Sequence, residues 1–462
     1  MNNTADATLH SIKDGKMSRY QIWIVVLCTF IAALDGFDVL VVAYTAPAIS
    51  SEWSLAPTDL GILFGAGLAG MGVGALCVAP IGDLLGRRPT ILLSLWLLLL
   101  GMGASAFAEG LTSLACMRLF TGVGIGAVLA NVNIMVSEYS SARRKAICVS
   151  MMSVGYPIGA TLGGLVAVNF IGAHGWRSVY LFGAAAAAVL LPLVWRVMPE
   201  SLDYLFAKRP ASALAQCNRI LLRMERTPLE RLPVGPRANA ISEAAVSRRS
   251  TRTLLCACGA YFAVMMTCYF LLSWTPQILT RSGLTQNIGI SGSLLMNVGG
   301  IVGCLLYGLL SPRLGQRTLA AVVMVGLFVG AVLFAAMPQS LLPLLLTAVW
   351  VGVCLFSSIN ALYVLVPQSF PARFRSTGTG IAMSAGRVGA VAGPTIAGYL
   401  MAVGLDKTAY IAILALPMLA AAFLVLGLRP YEERSLSAGG ANVTGPTNAR
   451  LPNAEAIVVN GG

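Results

Sequence analysis

Charged residues are scarce in this chain. Asp, Glu, Lys and Arg together make up 11% of its 462 residues, whereas hydrophobic residues make up 57%. A soluble globular domain has about 25% charged residues, so a chain of this composition is predicted to lie within a lipid bilayer. No apolar segment alternates with a period of two, which argues against a membrane β-barrel.

Residue sets that carry enzyme chemistry are also missing. The sequence has only 2 histidines, and its 10 cysteines are scattered, mostly inside apolar segments. Their spacing matches neither a metal site nor a redox pair, and no nucleophile is accompanied by a matching base. The sequence therefore indicates neither an enzyme nor a metal or cofactor site.

Twelve apolar segments account for most of the chain, and each is long enough to cross a hydrocarbon core of about 30 Å as a helix. They lie at about 20–48, 60–80, 90–108, 113–137, 146–170, 178–198, 253–280, 289–310, 318–337, 341–365, 376–402 and 408–428. The prediction is an all-α integral membrane protein with twelve transmembrane helices in two halves of six.

Polar regions divide these segments into predicted domains. A stretch rich in Arg, Pro and Ser at 199–252 separates the sixth and seventh segments, with a short surface helix expected near 211–226. Residues 434–462 carry Gly, Asn, Pro and Ser with little apolar content, which is typical of disorder. The predicted order is a tail at 1–19, a six-helix bundle at 20–198, a linker at 199–252, a second bundle at 253–428 and a disordered tail at 429–462.

The formal net charge of +13 is distributed as in a membrane protein rather than a nucleic-acid-binding one. If the N-terminus is cytoplasmic, the outer loops hold only Arg177, Arg281 and Lys407, and most other basic residues lie on the inner side. This asymmetry is the positive-inside rule. It predicts a multi-pass protein of the inner (cytoplasmic) membrane with both termini cytoplasmic, in contact with anionic lipid and without a nucleic-acid partner.

The two halves resemble each other at a shift of about 230 residues. The loop at 138–145 falls on 368–375, and Gly122 falls on Gly352. Repeats of six helices are typical of secondary transporters, in which the binding site lies between the halves.

Two carboxylates interrupt the first apolar segment. Asp35 and Asp38 lie near the middle of the run from Ile22 to Tyr44, and their spacing places them on one face of a helix. A carboxylate at this depth is costly and is tolerated where it faces a cavity or another part of the protein. The pair is predicted to load and release a proton; the alternative is a packing pair at a helix break at Gly36.

Two arginines also lie inside apolar segments. Arg387, near the middle of the eleventh segment, cannot lose its proton, so it must face a carboxylate, carbonyl groups or water. An anionic substrate and a permanent ion pair with an acid of the protein are the alternatives. Arg118, in the fourth segment, either snorkels to the interface or faces the Asp35 and Asp38 pair, and it is the second candidate for binding an anion.

The loop after the second segment carries a charged motif. It reads APIGDLLGRR from Ala79 to Arg88. It resembles the cytoplasmic signature of the major facilitator superfamily, which is Gly, three residues, Asp-Arg, one residue and Gly-Arg-Arg. Two positions depart from this signature, because Ala79 replaces the first glycine and Leu84 replaces the arginine.

Charged residues of this loop and the next inner loop are predicted to form a cytoplasmic gate. An acid at one helix end and arginines at the next can pair with each other and with the helix dipole. The second-half copy has Pro312 in place of the acid, so the first-half gate is expected to be the stronger. The alternative for the arginine pair is a role in topology alone. The predicted gate residues are Asp83, Gly86, Arg87, Arg88, Glu138 and Arg143.

The first apolar segment resembles one particular family within this superfamily. Its run DGFD at 35–38 resembles the Asp-Gly-any-Asp signature of the aromatic acid:proton symporters, and the run LLSWTP at 271–276 fits the same family. In that family the first-helix aspartates are associated with proton coupling and an arginine of the eleventh helix with the anionic substrate. The resemblance implies these roles for Asp35, Asp38 and Arg387.

Aromatic and amide side chains complete the predicted substrate site, because a substrate ring can stack edge-to-face on aromatic residues. Trp274, near an outer helix end, is alternatively an interfacial anchor, and the amides alternatively bridge helices. The predicted binding residues are Arg387, Arg118, Tyr156, Tyr269, Phe270, Trp274 and Asn297.

The predicted function is the import of a small aromatic carboxylate with a proton, by alternating access, in a protein that acts as a monomer. The alternative is a proton-driven exporter of drugs or metabolites from the same superfamily. Exporters typically carry Gly-Pro-any-any-Gly-Gly in helix five, and here Ala160 stands in place of the proline, which disfavours export. A sensor would need a signalling domain, for which neither the linker nor the tail is suited.

Overall fold

The computed structural model describes residues 16–141, 144–232, 248–281, 283–336, 341–370 and 375–428. All regular secondary structure in these ranges is helical. Parts of the predicted tails and linker (1–15, 233–247 and 429–462) lie outside the described residues, as does the predicted gate residue Arg143.

Twelve long helices follow one another along the described chain. The first six are α1 (Arg19–Trp53), α2 (Pro57–Leu85), α3 (Arg87–Ser105), α4 (Leu111–Tyr139), α5 (Lys145–His174) and α6 (Arg177–Val197). The last six are α7 (Arg248–Arg281), α8 (Gln286–Leu314), α9 (Gln316–Ala336), α10 (Leu341–Gln368), α11 (Arg375–Ala402) and α12 (Lys407–Gly427). Two short helices, Leu202–Lys208 and Ala213–Arg223, follow α6, and the second confirms the surface helix predicted near 211–226.

Eleven of these helices are, among the described residues, long and apolar enough to cross a membrane. The exception is α11, whose arginine, glycines and hydroxyl residues reduce its apolar content. It has 28 residues, or about 42 Å at 1.5 Å per residue, which exceeds the hydrocarbon thickness. Its length, and its packing along α7 and α2, make it the twelfth span.

Glycines allow α1 and α5 to cross at very short distance. A Cβ atom at Gly36 would overlap the backbone carbonyl of Tyr156, and one at Gly159 would overlap that of Ala33. In lipid, close packing of small residues holds helices together. The glycine inside the acid motif therefore fixes both acids next to α5.

The same kind of crossing joins α7 to α11 in the second half. Cβ atoms at Gly389 and Gly393 would overlap the backbone carbonyls of Phe262 and Met266. Arg387 is therefore carried by a helix that is held closely against α7.

We expect Gly36→Ala to destabilise the protein strongly, because its methyl group would compete with a backbone carbonyl that cannot rotate away. Overpacking of a dense core typically costs about 1–3 kcal/mol, and contact with backbone places this change at the upper end. The measurement is the thermal unfolding of the purified protein. Gly72→Ala is the matched control, because a Cβ atom there meets nothing within 4 Å. Equal melting temperatures of the two variants would contradict the close crossing.

The two halves contact each other on the side of the molecule opposite to the N-terminus. The Thr395 hydroxyl of α11 donates to the Gly61 carbonyl of α2 at 3.5 Å. The Trp274 ring of α7 lies edge-on to Phe64 of α2, with ring centroids 5.2 Å apart. These contacts close the space between the halves on that side. The side that carries the N-terminus is called the basic side below.

Candidate functional site

A buried ion pair joins α1 to α4. Arg118 donates from Nη1 to Asp38 Oδ1 at 2.7 Å, and from Nη2 to Asp38 Oδ2 and to the Asp38 carbonyl, the latter at 3.1 Å. Both side chains are fully buried, and the Tyr180 ring of α6 lies 5.8 Å from the guanidinium. Of the two positions considered for Arg118, the structure has the one that faces the acids. The terminal nitrogens of Arg118 are thus occupied by the protein. Arg387 is therefore the better of the two predicted anion sites.

Asp35 lies about one helical turn from this ion pair and has no such partner. Its side chain is 2% exposed, and its Oδ1 is buried without a hydrogen-bond partner in the described part of the chain. The Tyr156 hydroxyl, close enough to interact with Asp35 electrostatically, is buried and unpaired in the same way. An unsatisfied buried polar atom costs about 1–3 kcal/mol, so this pair of groups is poised to accept a proton or a ligand.

Arg387 approaches Asp35 from the second half. The two groups interact electrostatically, but no carboxylate within the described ranges forms an ion pair with Arg387. The guanidinium is half-buried and interacts with Tyr156, Tyr269 and Tyr363. A guanidinium inside the membrane span that lacks a counter-ion has two parallel donors available for a carboxylate.

Aromatic rings from three helices border this guanidinium. The rings of Tyr156 (α5) and Phe356 (α10) have centroids 6.3 Å apart, and those of Tyr261 (α7) and Tyr363 (α10) are 6.4 Å apart. Tyr363 is 44% exposed and lies near the end of α10 on the basic side. Tyr261 and Phe356 were not among the predicted site residues.

Two predicted aromatic residues lie elsewhere. Phe270 is fully buried and packs edge-on against Tyr410 of α12. Trp274 is also fully buried, and its Nε1 donates to the Pro394 carbonyl at 3.0 Å. A helix turns about 100° per residue, so Phe270 points away from the face on which Tyr269 meets Arg387. In the structure both rings pack between helices, and Trp274 is buried rather than placed at the interface. A role of either ring in substrate binding stays a prediction.

Asn297 on α8 bridges the two halves. Its Nδ2 donates to the Ser293 carbonyl at 2.8 Å and lies 3.5 Å from the Tyr44 hydroxyl of α1. Its Oδ1 and the Ser293 hydroxyl are buried without partners among the described residues. One amide therefore fills the bridging role that the sequence left open, while its oxygen stays available to a ligand.

The motif after α2 forms a network inside the first half. Arg87 pairs with Asp83 and donates from Nη1 to Asn131 Oδ1 at 3.0 Å. Glu200, just beyond α6, accepts from the backbone N–H groups of Arg87 and Arg88 at 2.7 and 3.2 Å. A carboxylate at a helix N-terminus is stabilised by the helix dipole, so Glu200 caps α3 and ties it to the linker.

Gly86 is required by this cap. Its φ is +110°, in a region that side chains disfavour, and a Cβ atom there would overlap the Glu200 carboxylate. Glu138 joins the same network, because its Oε2 accepts from the Ser201 hydroxyl at 2.6 Å. The sequence analysis missed Glu200, although an acid directly after a span in a strongly basic region was an available signal.

We expect Asp83→Arg to make residues near the basic side more accessible to water. The change replaces the attraction between Asp83 and Arg87 with repulsion and so releases the end of α2. The measurement is the rate at which a cysteine introduced at the exposed Ser153 of α5 reacts with a membrane-impermeant thiol reagent. Pro312→Asp, at the matching position of the second half, serves as the control and should change the rate much less. Equal rates in wild type and Asp83→Arg would count against the gate.

Two six-helix halves with ionisable side chains buried at their boundary define a secondary membrane transporter. The model of the Major Facilitator Superfamily matches residues 25–394, and the chain belongs to this superfamily. The predicted twelve-helix fold is thereby confirmed, and the protein is a transporter rather than an enzyme.

Relatives are similar over nearly their whole length. The gallate transporter of Pseudomonas putida is 31% identical, with 90% of this chain and 93% of the relative covered. The 4-hydroxybenzoate transporter PcaK of Acinetobacter baylyi is 30% identical, with 90% and 92% covered. The inward open conformation of the xylose transporter XylE from E. coli has a TM-score of 0.72 at 16% identity, covering 90% of this chain and 98% of that one. This last similarity concerns the fold.

Proposed function

We propose that this protein is a symporter that imports a small aromatic carboxylate together with a proton by alternating access. The observation that carries the proposal is the Arg387 guanidinium. It is half-buried within a membrane span, has no carboxylate partner in the described ranges, and lies among Tyr156, Tyr269 and Tyr363. A ligand with one carboxylate and one aromatic ring satisfies both features of this site.

The names of the relatives support this substrate class. They are transporters of gallate, 4-hydroxybenzoate, benzoate and 3-(3-hydroxy-phenyl)propionate. Each of these compounds combines an aromatic ring with one carboxylate.

Proton coupling follows from the charges at the site. Without substrate, the negative charge of ionised Asp35 neutralises the positive charge of Arg387 at long range. With substrate bound, the substrate carboxylate neutralises Arg387 if Asp35 is protonated. A substrate anion that enters without a proton leaves one net negative charge in the membrane interior, which is costly. Asp35 is therefore the proton carrier, and Asp38, held by Arg118, keeps that guanidinium neutralised through the cycle.

The basic side is assigned to the cytoplasm, because basic loop residues face inward in membrane proteins. The protein then lies in the inner membrane with both termini cytoplasmic. The bundles at 20–198 and 253–428 are the two moving bodies, joined by the linker at 199–252. One chain contains both halves and the whole site, which supports a functional monomer.

Uptake by cells that express the protein tests this function. Radiolabelled benzoate, 4-hydroxybenzoate, gallate and 3-(3-hydroxyphenyl)propionate are compared with benzamide and with an aliphatic acid, each with and without a protonophore. We expect accumulation of at least one aromatic acid, abolished by the protonophore, and none of the amide. A protonophore that raises the internal level would instead indicate a proton-driven exporter.

A further inference from the structure

A groove of about 500 Å³ lies on the outer surface of the first half, near the basic side. One wall is a face of α1, the other is the end of α6, and the short helix Ala213–Arg223 closes one end. Its lining includes Tyr20, Trp23, Phe30, Leu193, Arg196 and Arg223. It is separate from the space around Arg387.

The deeper part of the groove is apolar and exposed. Trp23 is 64% exposed, Phe30 57% and Leu193 46%. Trp23 and Phe30 are seven residues apart and share one face of α1. Because α1 is a membrane span, this apolar face meets acyl chains rather than water.

The end of the groove on the basic side carries two guanidinium groups. Arg196 is exposed and has neither a hydrogen bond nor an ion pair within the described part of the chain. Arg223 lies over the Tyr20 ring, with its Cζ 5.7 Å from the ring centroid. No carboxylate lines the groove, so both positive charges are available to a ligand.

The length of the groove matches one leaflet of a bilayer. Tyr20 and Phe30 are ten residues apart on α1, which corresponds to about 15 Å at 1.5 Å per residue. Half of a hydrocarbon core of about 30 Å has the same depth. A charged end followed by an apolar channel of this length fits a phospholipid headgroup and the chain below it.

We propose that this groove binds an anionic phospholipid. The headgroup phosphate lies between Arg196 and Arg223, and one acyl chain runs along Trp23 and Phe30. Basic pockets of this kind, on the side of a membrane protein that carries its positive charge, attract anionic lipids. The bound lipid would brace α1, α6 and the short linker helix, which already meet at the Tyr20 hydroxyl. This hydroxyl donates to the Val197 carbonyl at 3.1 Å and accepts from Arg223 Nη1 at 3.5 Å. This site is independent of the proposed substrate.

Fluorescence quenching by brominated lipids tests the site. The full-length protein is reconstituted in phosphatidylcholine, and dibrominated phosphatidylglycerol or dibrominated phosphatidylcholine is added. The signal of Trp23 is the difference between wild type and Trp23→Phe. We expect phosphatidylglycerol to be preferred at Trp23 by about thirtyfold, because two basic residues near the surface contribute about fivefold each. The double variant Arg196→Gln/Arg223→Gln should remove that preference.

Arg219→Gln is the matched control, since Arg219 is exposed on the same short helix but does not line the groove. It should keep the preference of the wild type. If the double variant does not reach the membrane, Arg196→Gln alone should still reduce the preference about fivefold. The proposal is overturned if wild type shows no preference, if the preference survives the arginine changes, or if neither lipid quenches Trp23. The last result would mean that a protein segment such as residues 1–15 covers the groove.

Discussion

Arg387→Ala is expected to leave no measurable binding of the aromatic acid. The substrate carboxylate would lose the guanidinium that lies beside Asp35 and the site tyrosines, and it would remain as an uncompensated charge inside the membrane. Breaking a buried charge pair costs about 3 kcal/mol or more, which lowers the affinity by roughly two orders of magnitude. Arg387→Lys should also raise the apparent Michaelis constant sharply, because an ammonium cannot reproduce the two parallel donors.

Binding of a labelled acid to the purified variants is the measurement. Arg281→Ala is the control, because Arg281 is exposed at the end of α7, on the side opposite to the N-terminus. Wild type should also discriminate acids from their amides and methyl esters, since an uncharged ligand leaves Arg387 uncompensated. Near wild-type affinity in Arg387→Ala would show that Arg387 only bridges helices. Since Arg118 is already paired with Asp38, the anion site would then have to lie elsewhere.

Asp35→Asn is expected to abolish accumulation against a gradient while the protein still reaches the membrane and binds its substrate. The amide cannot carry a proton, so substrate movement loses its link to the proton gradient. Exchange of internal for external substrate should persist, because that process needs no net proton movement. The measurement compares net uptake at several external pH values with exchange in preloaded vesicles.

Asp38→Asn should differ from Asp35→Asn. It leaves the buried Arg118 without its counter-ion, and such a loss costs about 3–5 kcal/mol. We therefore expect a marked loss of folded protein as well as a loss of accumulation. If both variants accumulated substrate at wild-type rates with unchanged pH dependence, the acids would be structural and the coupling proposal would be wrong.

Much of the fold could be predicted from the sequence, because apolar length alone defines a membrane span. The sixth segment, predicted at 178–198, is the helix Arg177–Val197. The first was predicted to end at 48, yet α1 continues to Trp53. The length of an apolar segment indicates only the part of a helix that lies in lipid. The polar residues after Ile49 continue α1 beyond the lipid.

The arrangement of the site was harder to predict from the sequence. Asp35 and Asp38 share a helix face in the sequence, but only the structure shows that Asp38 is paired with Arg118 and Asp35 is not. Which acid meets which cation depends on how α1 is rotated between α4 and α11, and periodicity does not determine that rotation. For the same reason the sequence could not separate Tyr269, which faces Arg387, from Trp274, which packs on α2 and α11.

Close helix crossings at glycines fix the surroundings of the two charges at the centre of the molecule. The helix that carries Asp35 packs closely against α5 at Gly36, and the helix that carries Arg387 packs closely against α7 at Gly389. The acid and the guanidinium therefore belong to different halves, and these halves also meet closely where a Cβ atom at Gly398 of α11 would overlap the Pro57 carbonyl of α2. In the proposed alternating-access cycle, a movement of one half against the other would change the distance between these two charges. Under that proposal, a neutral combination of charges would favour the movement, and an unpaired charge in the membrane interior would oppose it.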